Sequence, residues 1–300
     1  MIKITGGSGF VGVNFDTYLR RYQMQPTYIT RSELEQCNTK ILDGSSSIVH
    51  LAGKAHDLKK AAHPDVYYKV NFELTKHLYD LFLSSNAKKF IFMSSVKAST
   101  DQVLGVLTEE NMSNPSNDYG KSKRMAEDYI CSQILPQGKS YFILRPCMIH
   151  GPGNKGNLNL LSYFVSKGIP YPLASYLNKR SFLSVENLCF IIKEIIDRDD
   201  IPSGVYNVAD DEPLSTNEVV TMLARAHDRS PRLLRLPKGF IRTLAKIGDK
   251  LHFPLTTERL QKLTENFVVS NQKIKDALKK DLPLSAREGI FRTARSFKNE

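Results

Sequence analysis

Near the start of the chain, residues 3–12 read KITGGSGFVG, a short strand-like run that passes directly into a glycine-rich turn. A helix-like amphipathic stretch follows at residues 12–22. In such a turn between a first strand and a first helix, backbone amides approach a pyrophosphate, and the helix dipole favours its negative charge. The glycine spacing differs by one residue from the G-x-G-x-x-G pattern, but its position directly after a strand makes the motif specific. We predict a dinucleotide-binding turn whose contacts are Gly6, Gly9, Phe10, Val11 and Gly12.

Strand-like runs alternate with amphipathic stretches along most of the chain. The strand-like runs are residues 3–5, 27–30, 47–51, 90–94, 141–145 and 205–208. The helix-like stretches are residues 12–22, 66–84, 119–135, 158–167, 186–197 and 216–227. This alternation predicts βαβ units with right-handed crossovers, and therefore an α/β fold with a doubly wound parallel sheet. Residues 31–46 are short for a complete crossover, so we expect an abbreviated element there.

Proline and glycine concentrate at residues 149–157 and 167–173, where the regular alternation breaks. The break indicates a passage into a second, smaller α/β lobe. We predict a dinucleotide-binding domain at residues 1–150, to which residues 180–210 return, and a lobe at 151–300 that mainly binds substrate.

The composition is that of a globular protein. The chain has 300 residues, of which 41% are hydrophobic and 24% charged, which excludes a disordered, collagen-like or disulfide-stapled small protein. No apolar run approaches the roughly 18 to 20 residues that span a bilayer, and the first residues do not resemble a signal peptide, so we predict a cytoplasmic protein. The cysteines are widely separated and form no C-x-x-C pair, which favours free thiols over a metal site or disulfides. They are Cys37, Cys131, Cys147 and Cys189.

The formal net charge of +11 is concentrated in the last quarter of the chain. Residues 1–223 carry 24 Lys and Arg against 23 Asp and Glu, whereas residues 224–300 carry 18 against 8. Such a basic region attracts nucleic acid, an anionic membrane or an anionic small substrate, and the same count also describes a solvated surface. The sequence has no RNA-binding signature with interleaved aromatic residues, so we expect no nucleic-acid partner.

Within the basic region, residues 238–250 form an amphipathic segment in which Phe240, Leu244 and Ile247 lie among cationic side chains. A helix of this kind rests on a membrane surface or covers the substrate lobe. The second interpretation is favoured, and the first stays open. A homodimer also stays open.

The end of the second strand-like run bears on the choice of dinucleotide. An acid at this position hydrogen-bonds a ribose 2′-hydroxyl, whereas a cation accommodates a 2′-phosphate. Here the run ends Ile29-Thr30-Arg31-Ser32, without an acid. Arg31 therefore favours NADP, although NAD stays open.

A second candidate motif begins the helix-like stretch after the fourth strand-like run. Tyr119 and Lys123 are four residues apart, so they share one helical face. A free phenol titrates near pH 10, and a neighbouring ammonium together with a cationic nicotinamide would lower the pKa of Tyr119 towards a useful range. Ser94 or Ser95, at the carboxyl end of the fourth run, would hydrogen-bond the same substrate oxygen.

Over nearly its whole length the chain resembles the extended short-chain dehydrogenase/reductase superfamily, in its NAD-dependent epimerase/dehydratase branch. The segments that carry the resemblance are TGGSGFVG (5–12), HLAGKAHD (50–57), VNFELTKHL (70–78), FMSSVKAS (92–99), YGKSK (119–123), LRPCMIHGPG (144–153), RSFLSVENL (180–188) and YNVADDEPLSTNEVV (206–220). The combination is most similar to the subgroup of UDP-glucose 4-epimerase-like proteins, which also contains nucleotide-sugar 4-ketoreductases. The resemblance implies a Rossmann domain that holds NAD(P) and a smaller lobe that closes over a nucleoside-diphosphate sugar, with a UDP-sugar favoured.

The resemblance also implies roles for individual residues. Tyr119 corresponds to the catalytic acid or base, Lys123 to the residue that tunes it and binds the nicotinamide ribose, and Ser95 to the catalytic hydroxyl. The further cofactor contacts are Leu51, Ala52, Gly53, Asn71, Ser94 and Pro146. The implied substrate contacts are Ser95, Asn157 and Arg180, and Arg259 is added as a cleft-facing candidate from the basic segment.

Two activities share this set of residues. A 4-epimerase removes hydride from sugar C4 and returns it to the other face, whereas a 4-ketoreductase begins with a 4-keto sugar and consumes NADPH. The subgroup favours the epimerase, in the synthesis of surface polysaccharide precursors, and Arg31 favours the reductase. A protein that only senses the dinucleotide or serves as a scaffold is a third hypothesis, since fold does not fix function. The presence of Ser95, Tyr119 and Lys123 together argues against it.

Some polar residues near these motifs are predicted to be structural. His50, His56 and His63 lie close in sequence, but no carboxylate or cysteine completes a familiar metal-ligand spacing, so we expect core or loop histidines and no metal. Lys97 follows Ser95 by two residues, an unusual charge beside the site, and we expect it to point to solvent.

Overall fold

A computed structural model describes residues 1–35, 39–54, 63–154, 156–251 and 256–298 of the chain. Cys37 and His56, which the sequence analysis considered, lie outside these ranges. The three cysteines within them, Cys131, Cys147 and Cys189, are free thiols, as predicted.

The strands and helices follow one another in chain order. The strands are β1 (Ile2–Thr5), β2 (Thr27–Ile29), β3 (Ser47–His50), β4 (Lys89–Met93), β5 (Val106–Leu107), β6 (Ser140–Pro146), β7 (Met148–His150), β8 (Phe182–Ser184), β9 (Gly204–Val208) and β10 (Val268–Val269). The helices are α1 (Phe10–Arg20), α2 (Arg31–Glu35), α3 (Pro64–Tyr67), α4 (Leu74–Ser84), α5 (Asp118–Ser132), α6 (Asn157–Ser166), α7 (Val185–Asp197), α8 (Thr216–Ala226), α9 (Lys238–Leu251), α10 (Thr257–Thr264), α11 (Gln272–Leu278) and α12 (Ala286–Ser296). A π-helical turn, Tyr68–Glu73, joins α3 to α4.

Six of these strands pair in parallel in the order β2-β1-β3-β4-β6-β9. They are the six predicted strand-like runs, so the doubly wound α/β fold is confirmed. The chain reverses its direction of strand addition between β1 and β3, and ligands of such sheets bind at this switch point, beyond the carboxyl ends of the strands. The expected abbreviation after β2 is the five-residue helix α2.

Helices cover both faces of the sheet, which explains why residues 90–93 of β4 are all apolar. Phe90 and Phe92 pack with Phe82 of α4 and Ile130 of α5, whereas Ile91 packs on the opposite face in the core that includes α1 and α7. Successive side chains of a strand point to opposite faces, so a strand buried on both sides is apolar throughout.

The second half of the chain builds a smaller cluster beside the sheet. Helices α6, α8 and α12 share one apolar core, and α9 and α10 share another. The capping box of Ser215 and Glu218 begins α8. Because β9 completes the large sheet while β7 and β8 pair separately, the chain crosses between the two parts more than once. The division at residue 150 stays a prediction.

Among the residues that the structure describes, no helix combines the length and the apolar character that crossing a membrane requires.

Candidate functional site

The glycine-rich turn lies where β1 meets the turn that follows β3. Gly6 has a φ of +72°, and a Cβ on it would lie 2.6 Å from the backbone nitrogen of Ala52. A Cβ on Gly12 would lie 2.4 Å from the carbonyl oxygen of Gly6. Both contacts exclude any larger residue, because protein interiors are close-packed. The two glycines therefore bring α1 and the turn after β3 against the end of β1.

The first turn of α1 has the properties of a phosphate site. Its N-cap is Gly9, no side chain caps the helix, and no acid lies in the first turn. The amides of Phe10, Val11 and Gly12 lie in this uncapped turn, and the helix dipole adds partial positive charge. This arrangement has the donors that a pyrophosphate requires, and the contacts with a dinucleotide stay a prediction.

The turn after β3 is held by Asn71, which lies in the π-helical turn and is fully buried. Its side-chain oxygen accepts from the Lys54 amide at 2.8 Å, and its nitrogen donates to the Lys54 carbonyl and to the Ser122 hydroxyl, both at 3.1 Å. π-helical turns are frequent at functional sites because the extra residue changes where side chains point. Asn71 thus connects the turn that contains Leu51, Ala52 and Gly53 to helix α5.

His50 is a core residue, as the sequence analysis favoured. The Thr75 hydroxyl donates to the Asn71 carbonyl at 2.8 Å, so it accepts from Nε2 of His50 at 2.9 Å, and Nδ1 accepts from the Thr5 hydroxyl at 2.6 Å. Burial, and then the charge of Lys123, lower the pKa of His50 to about 3, so the ring is neutral. The described residues include no group of three or more His, Cys, Asp or Glu side chains that would hold a metal ion.

Helix α5 begins beside the end of β4 for a steric reason. A Cβ on Gly120 would lie 2.3 Å from the carbonyl oxygen of Lys97, so only glycine permits this approach. Asn117 caps the helix by accepting from the Gly120 amide at 2.8 Å, and it donates to Asp101 at 2.7 Å. These contacts hold Tyr119, in the first turn of α5, opposite the residues after β4.

Tyr119 and Ser95 are brought together as predicted, since both line one cavity. Burial raises the pKa of Tyr119, and the interaction with the Ser95 hydroxyl opposes this effect without cancelling it. Lys123 is not among the groups that shift this pKa, and the expected lowering by the ammonium together with a cationic nicotinamide stays a prediction. In this structure Lys123 donates to the carbonyl of Met93 at 2.7 Å and lies over the Phe92 ring at 4.7 Å.

Lys123 is itself an unusual group, because it is almost fully buried. Burial lowers its pKa to about 8, although the charge of Glu127 acts in the opposite direction. A Cβ on Gly53 would lie 3.1 Å from its Nζ atom, so this ammonium faces the turn after β3. Lys123 thus connects helix α5, strand β4 and the turn predicted to line the cofactor.

A buried ion pair beneath these residues escaped the sequence analysis. Arg145 of β6 donates to both carboxylate oxygens of Glu127, the shortest contact being 2.5 Å, and Ser94 also donates to Glu127. The signal was an arginine inside the otherwise apolar run YFILR, because a charge in a buried strand requires a partner. Nothing in the sequence identified Glu127 as that partner.

The predicted residues surround one cavity of about 240 Å³ at the carboxyl edge of the sheet. Its lining contains all three predicted catalytic residues, Ser95, Tyr119 and Lys123, with four of the predicted cofactor contacts, Leu51, Gly53, Ser94 and Pro146. Four further lining residues were not predicted, namely Lys54, Met93, Cys147 and Ile149.

The predicted substrate contacts of the second lobe are less closely gathered. Arg180 is half-buried, donates to the carbonyl of Lys262 at 2.7 Å, and interacts electrostatically with Cys147 of the cavity. Burial lowers its pKa. Asn157, the first residue of α6, and Arg259, in α10, are exposed and do not line the cavity.

The expectation that Lys97 points to solvent is wrong. Its side chain is only about one-third exposed, pairs with Asp101 at 3.5 Å and lies over the Phe267 ring at 4.7 Å. Asp101 also accepts from Ser116 and from Asn117. Lys97 therefore belongs to the contacts that hold the start of α5 beside Ser95.

Arg31 lies at the start of α2 and is 66% exposed, paired with Glu35 at 3.1 Å. An acid that the sequence analysis did not consider lies close by, since Glu33 accepts from the backbone amide and the hydroxyl of Thr30, each at 2.7 Å. A cation and an acid are thus both available where the adenosine ribose of a dinucleotide would bind.

Similarity to known proteins agrees with this geometry. The chain is 31% identical to a UDP-glucose 4-epimerase of Vibrio cholerae, across 99% of this chain and 95% of that one. It is 26% identical to an N-acetyl-alpha-D-glucosaminyl-diphospho-ditrans,octacis-undecaprenol 4-epimerase of Escherichia coli O157:H7, across 79% of this chain and 75% of the other. Its fold matches the structure of MoeE5 in complex with UDP-glucose and NAD with a TM-score of 0.76, at 20% identity and across 99% and 98% of the two chains.

The sequence model of the NAD dependent epimerase/dehydratase family matches residues 2–209, which include β1 to β9 and every residue of the cavity lining. The resemblance noted in the sequence is therefore confirmed over most of the chain. With the glycine turn, Tyr119, Ser95 and the buried Lys123 gathered at one edge of the sheet, the chain belongs to the NAD dependent epimerase/dehydratase family.

Proposed function

We propose that this protein is an NAD(P)-dependent nucleotide-sugar 4-epimerase that acts on a UDP-hexose in the synthesis of surface polysaccharide precursors. Membership of the family supports an NAD-dependent enzyme. The Vibrio cholerae relative, which aligns over almost the full length of both chains, supports the reaction and the UDP-sugar.

One observation carries the proposal. Ser95 and Tyr119 line one cavity together with Lys123, and this cavity adjoins the glycine-rich turn. A hydroxyl pair beside a buried cation suits proton transfer to and from a sugar hydroxyl next to a dinucleotide. A protein that only senses the dinucleotide would not need all three side chains.

The residues act as follows in the proposed reaction. Tyr119 moves a proton between its phenol oxygen and the oxygen on sugar C4, and Ser95 hydrogen-bonds the same sugar oxygen. Because burial raises the pKa of Tyr119, phenolate formation depends on Ser95, which opposes that effect, and on the positive charge that a bound nicotinamide would add beside the phenol. Lys123 holds the nicotinamide ribose. When bound, NAD(P) supplies the acceptor and donor of the hydride at C4.

Further residues bind the two ligands. Gly6, Gly9, Phe10, Val11 and Gly12 hold the pyrophosphate of the cofactor. Leu51, Gly53, Ser94 and Pro146, which line the cavity, and Ala52 beside them contact the cofactor, and Asn71 supports this lining. Arg180 binds the substrate diphosphate through its guanidinium, because a planar donor fork matches phosphate oxygens. Asn157 and Arg259 would reach the substrate only when the second lobe closes over it.

Two finer proposals concern the cofactor and the location. The positive charge of Arg31 favours NADP over NAD. The cytoplasm is the proposed location, since nucleotide sugars are the proposed substrates. A homodimer is compatible with the proposal but is not needed for the site described above.

Turnover assays test the proposal. The purified chain is examined by mass spectrometry for a carried dinucleotide, then incubated with UDP-hexoses, with and without added NADPH. An undecaprenyl-diphosphate sugar is included because the Escherichia coli relative is named for such a substrate. Interconversion of C4 epimers without net cofactor consumption supports the epimerase. Net oxidation of NADPH by a 4-keto sugar nucleotide would identify the reductase instead, and dinucleotide binding without any turnover would identify the sensor or scaffold.

A further inference from the structure

We propose that helix α9 docks this protein onto an anionic phospholipid membrane, with the helix axis in the plane of the surface. This inference does not depend on the proposed activity.

The first observation is an apolar stripe that faces solvent. Phe240, Leu244 and Ile247 are 53%, 41% and 42% exposed. Their spacing of four and three residues places them on one side of the helix. A single exposed apolar residue is ordinary, but three in a row on one helix mark an interaction surface.

The second observation is that the stripe is not needed to hold the helix in place. Ile241 and Ala245 are buried and pack with Leu173 and Leu260. These contacts cover the second lobe, as the sequence analysis favoured, and they leave the stripe free. Thus α9 has one face for the lobe and another for a partner.

The third observation concerns charge. Five cationic side chains lie on α9 or just before it, namely Arg235, Lys238, Arg242, Lys246 and Lys250. Within the described parts of the chain, none of the five has a carboxylate at ion-pair distance. Some other cations of the basic segment do have one, since Lys262, Arg287, Arg292 and Lys298 each pair with an acid. The only acid of α9, Asp249, accepts from the amide and the hydroxyl of Thr257.

An anionic membrane matches both properties of this surface. The stripe enters the boundary between headgroups and acyl chains, and Lys246 and Lys250, on the exposed side of the helix that flanks the stripe, lie among lipid phosphates. Lys250, one turn beyond Ile247, has the long aliphatic stem that lets a charge reach the headgroups while its helix lies deeper.

Other partners match only part of the surface. A second copy of the chain that packed on the stripe through a twofold axis would bury the apolar residues but would supply no acid from α9 for the cations, since Asp249 is held by Thr257. A nucleic acid would neutralise the cations but leave Phe240, Leu244 and Ile247 exposed to water.

Vesicle flotation with the full-length chain tests the proposal. One set of vesicles is phosphatidylcholine alone, and in the other about one-third of the lipid is phosphatidylglycerol. We expect flotation only with the second set at low salt, and its loss in about 0.5 M salt, where the Debye length is only a few ångströms. Failure of the wild-type chain to float with the anionic vesicles at low salt would overturn the proposal.

Variants separate the stripe from the charges. The double substitution F240S/I247S and, separately, K246Q/K250Q should each weaken vesicle binding at least about tenfold, because both apolar insertion and charge contribute. The matched controls L104S/I134S and K69Q/K88Q change fully exposed or exposed residues elsewhere and should stay within about twofold of wild type.

Two further measurements keep the outcomes distinct. Circular dichroism and UDP-sugar turnover of F240S/I247S should match wild type, so a loss of flotation is not a loss of folding or of the proposed function. If F240S/I247S binds vesicles as tightly as wild type, the stripe has no membrane role and the proposal fails. It also fails if sedimentation shows that wild type self-associates and F240S/I247S does not, because the stripe would then be an interface between copies.

Discussion

The floor of the cavity and the outer face of α9 both contain charged side chains. The charges of the first region are buried and paired, whereas those of the second are exposed and have no acidic partner among the described residues. Beneath the cavity, Arg145 and Glu127 are buried and satisfy each other. On α9, Arg242 and Lys246 are exposed and pair with no acid among the described residues. A buried charge is tolerated only with a partner, whereas an exposed charge costs little without one.

The comparison shows what each region can reveal. The ion pair of Arg145 and Glu127 fixes the side chains beneath the cavity. The geometry of the cavity therefore limits the reactions that it can support. The exposed cations of α9 have no acidic partner among the described residues. The role of this surface therefore depends on a molecule outside the chain. Removing a partner where charge is buried therefore has the largest expected effect.

Breaking the buried pair should have the largest effect. Glu127→Ala leaves Arg145 buried and unpaired, and the expected loss in the free energy of unfolding is about 3–5 kcal/mol. Urea denaturation measures it. The double variant Glu127→Leu with Arg145→Met removes both charges and should recover most of that loss. A single variant within about 1 kcal/mol of wild type would contradict the account of the cavity floor.

Tyr119→Phe should lower turnover of the preferred UDP-hexose by at least about 10²-fold, because it removes the positioned acid or base. The Phe ring keeps the edge contact that Tyr119 makes with Tyr67, so dinucleotide affinity and stability should change little. Steady-state kinetics and cofactor titration measure the two effects. Turnover within about threefold of wild type would remove Tyr119 from the proposed mechanism.

Lys123→Met tests the buried ammonium. The folded-state pKa of Lys123 is about 8, below its ordinary value of 10.5, so between these pH values the unfolded chain binds more protons than the folded one. The wild-type free energy of unfolding should therefore rise relative to the variant by about 2 kcal/mol from pH 8 to pH 10. Turnover of the wild type should fall over the same range, as the ammonium loses its proton.

The control for Lys123→Met is Lys121→Met, which changes an exposed lysine of the same helix. It should leave both the pH dependence and the rate near those of wild type. If Lys123→Met and wild type show parallel stability profiles from pH 8 to pH 10, Lys123 does not titrate as a buried group.

The same contrast explains what the sequence revealed. Strand-like runs, helical periodicity and the four-residue spacing of Tyr119 and Lys123 are local patterns, and the structure follows them. Ser95 and Gly12 were identified because motif and position coincided. Arg145 and Glu127 are 18 positions apart in the sequence and lie on different elements, so no local pattern encodes their pairing.

Other features left a weaker signal. Lys97 and Asp101 have the spacing of an i,i+4 ion pair, so their contact was readable from the sequence, although the packing of Lys97 on Phe267 was not. The π-helical turn at Asn71 lies inside the single helix-like stretch predicted at residues 66–84, and nothing in that stretch distinguished it from an α-helix.

The variants Arg180→Gln and Arg259→Gln compare a half-buried arginine beside the cavity with an exposed arginine outside the cavity lining. Arg180 is half-buried beside the cavity, and its replacement should raise the KM for the UDP-sugar about tenfold through loss of a charge-assisted phosphate contact. Arg259 is exposed and outside the cavity lining, so a smaller rise of about threefold is expected. If Arg180→Gln lowers stability and leaves KM unchanged, its bond to the Lys262 carbonyl is its whole role.

The smallest expected effect concerns the exposed charges beside the adenosine ribose, where Arg31 and Glu33 should act in opposite directions. Arg31→Asp replaces attraction for a 2′-phosphate by repulsion, and the ratio of NADPH to NADH affinity should fall several-fold, as expected for a solvent-exposed charge. Glu33→Gln removes a negative charge that lies beside Thr30, so the same ratio should rise. Arg20→Asp is the matched control, because Arg20 is an exposed cation on α1 that also pairs with an acid four residues away. Fluorescence titration of NADPH and NADH into all four proteins measures the ratios. If both ratios equal that of Arg20→Asp, neither charge reaches the ribose. The preference for NADP then loses its support, and the argument for a reductase loses it too.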